Sequence, residues 1–293
     1  MSELPAFLAR QYPYRSHHLP TRFGRMHYVD QGTGRPVLLL HGNPTWSFLY
    51  RKVIAGLEGG PYRVVAPDLI GLGLSDKPRT VKAHSLRRHG EAVLALVEAL
   101  DLRDVVLGVQ DWGGPIGAWM AARAGGRVTG LVVMNTSLLL PERFRTTRFH
   151  RFSQMPVVSD VAFRLFNFPV PVLGRTQGDP GSISGDVARA YAWPLRRVRD
   201  RAAPLALARM VPNHPEHPTV AELAAGEAWV RGFSGPVELV WGLKDPILGR
   251  ALKRHREVFP QARVTETQAG HFLQEEVPED IVAAIRRVAE ARG

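Results

Sequence analysis

The chain has no cysteine. Disulfide stapling and thiolate chemistry are therefore excluded, and a cytoplasmic setting is expected. No apolar run approaches the roughly 18 residues of a membrane span, so no membrane partner is expected either. The opening residues, Met1 to Gln11, lack a basic stretch followed by an apolar one, and no secretory signal is expected. Blocks of positive charge are missing as well. The net charge is +11 and the pI about 10.6, yet the basic residues are nearly all arginine and are scattered. With no nucleic-acid motif beside them, a solvated basic surface accounts for the excess and no nucleic-acid partner is expected. Tyrosine is scarce in the middle of the chain, where Tyr191 is the only one between Leu139 and Gly235.

What the chain does have is a succession of short apolar runs alternating with helical patterns. At 45% hydrophobic residues, the 293 residues can fill one large core or a core with an insertion. Arg22 to Asp30 alternates as a strand, and Gln31 to Arg35 is a turn. Arg35–Leu40, Tyr62–Ala66, Val105–Val109, Gly130–Met134, Val237–Trp241 and Ala262–Glu266 read as further strands. Helices are expected over Trp46–Leu57, Ser85–Leu100, Pro115–Arg123 and Pro278–Ala291. This pattern predicts an α/β fold, a mostly parallel sheet with helices on both faces. From Leu139 to Gly235 the strand pattern lapses and proline, arginine and aromatics rise. That stretch is expected to be an inserted helical cap (139–235), with residues 1–138 and 236–293 forming the core.

Catalytic groups in such sheets gather at the carboxyl ends of strands. Asp111 ends the Val105 strand in Val109-Gln-Asp-Trp-Gly-Gly114, a strand-to-helix turn of the nucleophile-elbow kind, with a carboxylate where esterases carry serine. Asn43 follows the leucine-rich strand. Asp245 follows the Val237 strand, and His271 follows the last one. The order nucleophile, acid, histidine is that of α/β-hydrolases. Taken singly, Asp111 could be a helix cap, Asp245 a turn residue and His271 a loop histidine. Trp46 and Trp241 read as packing residues.

The residue types define a chemistry. A carboxylate is ionised at neutral pH and can displace a leaving group at an sp³ carbon without a base. The resulting alkyl ester must be hydrolysed at the carboxyl carbon of Asp111. That step needs a general base, and neutral His271 oriented by Asp245 suits it. Backbone N–H groups of Asn43 and Trp112 would hold the oxyanion. The indole N–H of Trp112 and the side-chain amide of Asn43 are uncharged donors that suit a departing halide.

These motifs resemble those of the haloalkane dehalogenases, cap-bearing members of the α/β-hydrolase fold. The resemblance rests on His41-Gly-Asn-Pro-Thr-Trp46, the Pro67–Asp76 loop, Val109–Gly114, Trp241–Gly249 and Ala269–Glu276. It implies Asp111 as nucleophile, His271 as base and Asn43 with Trp112 as the halide pair. That family's acid follows either of two strands. Asn135-Thr136-Ser137 after the Gly130 strand offers no carboxylate, which favours Asp245. An Asp-His-Asp triad with an Asn-Trp halide pair is similar to one subgroup. The implied substrates are a small hydrophobic haloalkane and water, the products a primary alcohol and a halide ion, with no cofactor and no metal.

Epoxide hydrolases resemble the same pattern but use two cap tyrosines, which this chain lacks. A fluoroacetate dehalogenase would need arginines near the nucleophile, and none occurs between Asp111 and Arg123. A non-catalytic binding protein would not need all three catalytic residue types, and a serine esterase would need serine in the elbow. Phe144, Phe149, Phe152, Phe163, Phe166, Phe168, Trp193, Phe272 and Leu248 are the pool from which the pocket lining is expected.

Overall fold

A computed structural model describes residues 4–144 and 147–291. Its centre is one eight-stranded sheet: β1 (His17–Thr21), β2 (Gly24–Gly32), β3 (Arg35–Leu40), β4 (Tyr62–Pro67), β5 (Val105–Asp111), β6 (Val128–Thr136), β7 (Val237–Gly242) and β8 (Arg263–Thr267). The order across the sheet is β1-β2-β4-β3-β5-β6-β7-β8. β2 alone runs against the others, pairing antiparallel with β1 and β4. The central strands read as unbroken apolar runs because both of their faces are covered. Val37 to Leu40 and Val105 to Leu107 are fully buried.

The helices are α1 (Ala6–Ala9), α2 (Arg51–Leu57), α3 (Leu86–Ala99), α4 (Gly113–Ala121), α5 (Arg148–Ser153), α6 (Val158–Arg164), α7 (Gly185–Ala192), α8 (Ala202–Arg209), α9 (Thr219–Gly232), α10 (Leu252–Val258) and α11 (Pro278–Glu290). α11 packs on β5, β6 and β7 with α2 beside it, while α3, α4 and α9 form the layer on the other face. Ser85 caps α3 by accepting from the Arg88 N–H at 3.2 Å, which fixes where that helix begins. No helix among the described residues is long and apolar enough to cross a membrane.

The sequence expectation missed β1, whose Pro20 and half-buried positions give no clear alternation, and it missed α10. The helix expected from Trp46 begins as a 3₁₀ turn over Ser47–Tyr50 before α2. Between β6 and β7 the described residues form helices and turns and no strand. Most of this segment lies apart from the sheet, but α9 packs against α4 and α3 and so completes a core layer.

Polar ties join the inserted segment to the core. Arg51 on α2 makes a two-pronged ion pair with Glu275 at 2.5 and 2.8 Å. The Tyr191 hydroxyl of α7 donates to the same carboxylate at 2.6 Å. Trp46, fully buried, donates from its indole to the Ala190 carbonyl of α7 at 3.3 Å. Trp241 is likewise buried, and its indole donates to Gly249 O at 3.1 Å, so both tryptophans are packing residues.

Glu275→Ala would strand the Arg51 guanidinium, whose side chain is only 7% exposed. The expected cost is about 3–5 kcal/mol, read as a lowered urea midpoint with an unchanged slope. A loss below about 1 kcal/mol would show that Arg51 finds water or another partner.

Candidate active site

The site is built on the strand ends. β5 finishes at Asp111, whose φ of +48° lies in the left-handed region that non-glycine residues rarely occupy. The neighbouring backbone holds it there. Thr136 Oγ donates to the Asp111 carbonyl at 2.5 Å, and the Asn43 N–H donates to Asp111 Oδ1 at 2.7 Å. The turn tolerates no side chain around it. A Cβ on Gly42 would stand 2.2 Å from Asp111 Oδ1, and one on Gly113 would stand 2.0 Å from the Leu40 carbonyl oxygen. The small residues of His41-Gly-Asn and Trp-Gly-Gly are thus required by the closeness of β3 and β5.

The loop after β3 is fixed from below. His41 is fully buried, and its Nε2 accepts from the Leu69 N–H at 3.0 Å. Nδ1 then carries the proton and donates to the Gly42 carbonyl at 2.9 Å. Burial lowers the imidazole's proton affinity and keeps it neutral, as this pairing requires. Asp68, on the Pro67–Asp76 loop, accepts from the Ser47 and Leu74 N–H groups and from His27. Burial alone would raise its carboxyl, but His27 and these donors outweigh it and hold the group down at about 2.

Asp111, Asp245 and His271 come together as expected. His271 Nδ1 lies 2.8 Å from Asp245 Oδ2, and Nε2 lies 3.5 Å from Asp111 Oδ2. Asp245 is buried and accepts two further hydrogen bonds, from Asn135 Nδ2 at 2.8 Å and from the Ile247 N–H at 2.7 Å. Burial favours its neutral form, but His271 and these donors overcome that and lower its proton affinity. For His271 the balance is reversed. Burial alone would make it a weaker base, but Asp245 and Asp111, one on each ring nitrogen, together raise its pKa well above the ordinary histidine value. The neutral imidazole expected from the sequence is therefore not the form favoured while both carboxylates are charged.

Asn135 is the residue that the sequence reading passed over. It was weighed only as a missing carboxylate. In the structure its Nδ2 donates to Gly242 O at 3.0 Å as well as to Asp245, and its Oδ1 accepts from the Gly242 N–H at 2.7 Å. It couples the end of β6 to the acid loop. The available signal was a run of polar residues closing an apolar strand. Gln110, part of the elbow motif but without a role read from the sequence, donates from its amide to the His271 carbonyl at 3.1 Å.

Residues of the inserted segment grip the histidine loop. The His271 N–H donates to Thr176 O at 2.9 Å. Gln177 accepts from the Phe272 N–H at 2.9 Å and donates to the Phe272 carbonyl at 3.1 Å. Glu276 accepts from the Gly178, Asp179 and Gly270 N–H groups.

A cavity of about 420 Å³ opens above Asp111. Asn43, Trp112 and His271 reach it, and Phe149, Phe168, Val172, Leu173, Ala208, Ile247 and Phe272 supply most of its apolar wall. A second cavity of about 210 Å³ shares Asp111, Trp112, Thr147, His150 and Ile247, and includes Leu248. Of the pool expected from the sequence, Phe149, Phe168 and Phe272 line the larger cavity and Leu248 the smaller. Phe152 and Phe163 line neither cavity and pack against Phe149 and Phe168. Phe166 is 70% exposed, Trp193 lies under the Arg196 guanidinium, and Phe144 reaches neither cavity.

Trp112 is mostly buried, and among the described residues its indole N–H has no protein acceptor. Asn43 Nδ2 donates one hydrogen to the Pro204 carbonyl of α8 at 3.0 Å, leaving the other. Tyr191, which an epoxide-opening site would need beside the reacting carbon, is buried against Glu275 and lines neither cavity.

Comparison with known proteins agrees with this architecture. The family model described as the alpha/beta hydrolase fold matches residues 35–166. A haloalkane dehalogenase of Mycolicibacterium paratuberculosis is 39% identical over 283 residues, covering 90% of this chain and 89% of its own. One from Mycobacterium marinum is 37% identical over 280 residues, with 90% of each covered. Among solved structures, haloalkane dehalogenase DbeA of Bradyrhizobium elkani superposes with a TM-score of 0.84 at 25% identity, covering 95% of this chain and 99% of that one. DatA of Agrobacterium tumefaciens gives 0.81 at 28% identity, covering 94% and 97%.

Asp111→Asn would remove one of the two negative partners of His271. The imidazole's protonation midpoint should fall, while remaining raised by Asp245. Nitrogen-15 NMR of the ring would follow the titration, and an unchanged midpoint would mean that Asp111 does not act on His271.

Proposed function

The chain belongs to the haloalkane dehalogenases of the α/β-hydrolase fold, and from that premise we propose that it hydrolyses small haloalkanes to a primary alcohol and a halide ion through an ester on Asp111. The observation that carries this reading is the position of Asp111: at the floor of a mostly apolar cavity, 3.5 Å from a histidine that is itself bonded to a second carboxylate.

In the first step an Asp111 oxygen attacks the halogen-bearing carbon. The carbon–halogen bond breaks with its electron pair, and the halide leaves toward the indole N–H of Trp112 and the free amide hydrogen of Asn43. The bond from Asn43 to Pro204 supports this role by fixing the amide plane. In the second step His271 takes a proton from water, and the hydroxide adds to the carboxyl carbon of Asp111. The Asn43 N–H, already 2.7 Å from Oδ1, is placed to receive the oxyanion, with the Trp112 N–H as second donor. Collapse returns the Asp111 carboxylate and frees the alcohol. One proton leaves with the halide.

The ester changes the electrostatics in the useful direction. Once Asp111 is alkylated its charge is gone, and one of the groups raising the His271 pKa is lost. The imidazole becomes easier to deprotonate in the intermediate that needs a base. Displacement proceeds with His271 protonated; hydrolysis requires it neutral.

We assign the core to residues 1–138 and 236–293 and the cap to 139–235, with α9 the part of that segment built into the core layer. A cytoplasmic setting fits a chain without cysteine. An epoxide would find no tyrosine hydroxyl on either cavity wall among the described residues to protonate its alkoxide.

His271→Ala should form the ester with a bromoalkane and fail to hydrolyse it, so intact mass rises by one alkyl group. An unchanged mass would overturn the role of Asp111 or His271. In the parent protein, ester should accumulate on quenching as pH falls, because hydrolysis fails before displacement does. An ester fraction independent of pH would contradict a histidine base. Asn43→Ala and Trp112→Phe should slow halide release on the order of tenfold to a thousandfold; parental rates would exclude them as halide donors. Halide release from a haloalkane panel, set beside diol formation from an epoxide, tests the reaction class.

A further inference from the structure

An apolar wall suits a hydrocarbon chain, but one part of the larger cavity is polar. Thr147 and His150 line it, and both also line the smaller cavity. Their arrangement is set by the start of α5. Thr147 is the N-cap, and its Oγ accepts from the His150 N–H at 3.3 Å. The same oxygen lies 2.9 Å from His150 Nδ1. The hydroxyl hydrogen is not used by the cap, and among the described residues its only acceptor is Nδ1. With Nδ1 accepting, the ring proton belongs on Nε2.

Burial lowers the His150 pKa to about 4, with Asp111 pulling it up and His271 pulling it down. The ring is therefore neutral in ordinary conditions, and it stands close enough to the reacting groups to feel both charges. Among the described residues Nε2 makes no hydrogen bond, and the ring borders both cavities. A neutral ring on a cavity wall, with Nδ1 turned to a capping threonine and Nε2 unpartnered among the described residues, is a recognition group without an assigned ligand.

We propose that the His150 Nε2–H binds an oxygen on the substrate, so that the site takes haloalkanes carrying a hydroxyl, ether or carbonyl oxygen a few bonds beyond the halogen-bearing carbon. This rests on the dehalogenase reading. Asn43 and Trp112 serve the halide, and His150, on the wall of the same cavity, serves the oxygen. Oxygen is the fitting class because carbon-bound halogen is a poor acceptor. A plain alkyl chain would leave the donor facing hydrocarbon, and a site with an unpaired polar group discriminates against the analogue that leaves it so.

The test compares short bromo-ethers of increasing chain length with bromoalkanes of equal length. At one chain length the parent protein should favour the ether in kcat/KM by roughly three- to tenfold, the range for one neutral hydrogen bond. His150→Phe should abolish that preference while bromoalkane turnover persists, which also shows the variant is folded. His150→Gln should keep part of it, and Thr147→Val, which frees the tautomer, should lose part. The inference is overturned if the parent shows no preference at any chain length, or if His150→Phe leaves the preference intact. If the parent turns over no bromoalkane, the dehalogenase reading fails instead. Calorimetric binding of unreactive n-alkanols to the parent and to His150→Phe then decides the donor: equal affinities overturn it.

Discussion

The arrangement at the centre of this protein depends on one backbone torsion. Asp111 is held at a positive φ at the end of β5, a conformation with a real energetic cost for a side chain bearing a Cβ. It persists because the loop after β3 presses against it with a glycine, because Thr136 holds its carbonyl, and because the Asn43 N–H holds its carboxylate. Relaxing the turn would withdraw the carboxylate from the cavity and from the imidazole at once. The glycines, the buried neutral His41 and the Asp68 network all serve the stiffness of that contact.

Two carboxylates around one imidazole give the site its electrical logic. Either alone would leave His271 nearer an ordinary histidine. Both together favour its cation, and burial works against that without prevailing. Asp245 is held further by Asn135 and the Ile247 N–H. In the proposed mechanism Asp111 is the variable partner, because esterification removes its charge. The base would then be adjusted by the state of the nucleophile, with no conformational change required.

Much of this was legible in the chain. Buried parallel strands announce themselves as apolar runs, and strand ends holding Asp, Asp and His in hydrolase order already mark the three side chains that the fold brings together. What escaped reading depends on juxtaposition. Asn135 has no meaning until β6 and β7 lie side by side. His150 looks like one more residue in a basic and aromatic stretch until Thr147 caps its helix. The flanking β1 escaped because Pro20 and partial burial erase its alternation. The aromatic pool was right in kind but could not be sorted, since Phe163 and Phe166 are three residues apart and one is buried while the other is exposed. The pull of two carboxylates on His271 was not legible, because the sequence does not give the distances that set it.

The grip of Thr176, Gln177 and Glu276's partners on the loop that carries His271 has a consequence for how such enzymes diversify. The segment that lines the cavity above Asp111 is also the scaffold on which the loop of His271, the proposed proton acceptor, rests. A lid transplanted from a cousin would have to bring a matching handhold for that loop. Selectivity and reactivity are inherited here as one unit, and new substrate ranges are more readily reached by changing side chains within the lid than by exchanging the lid whole.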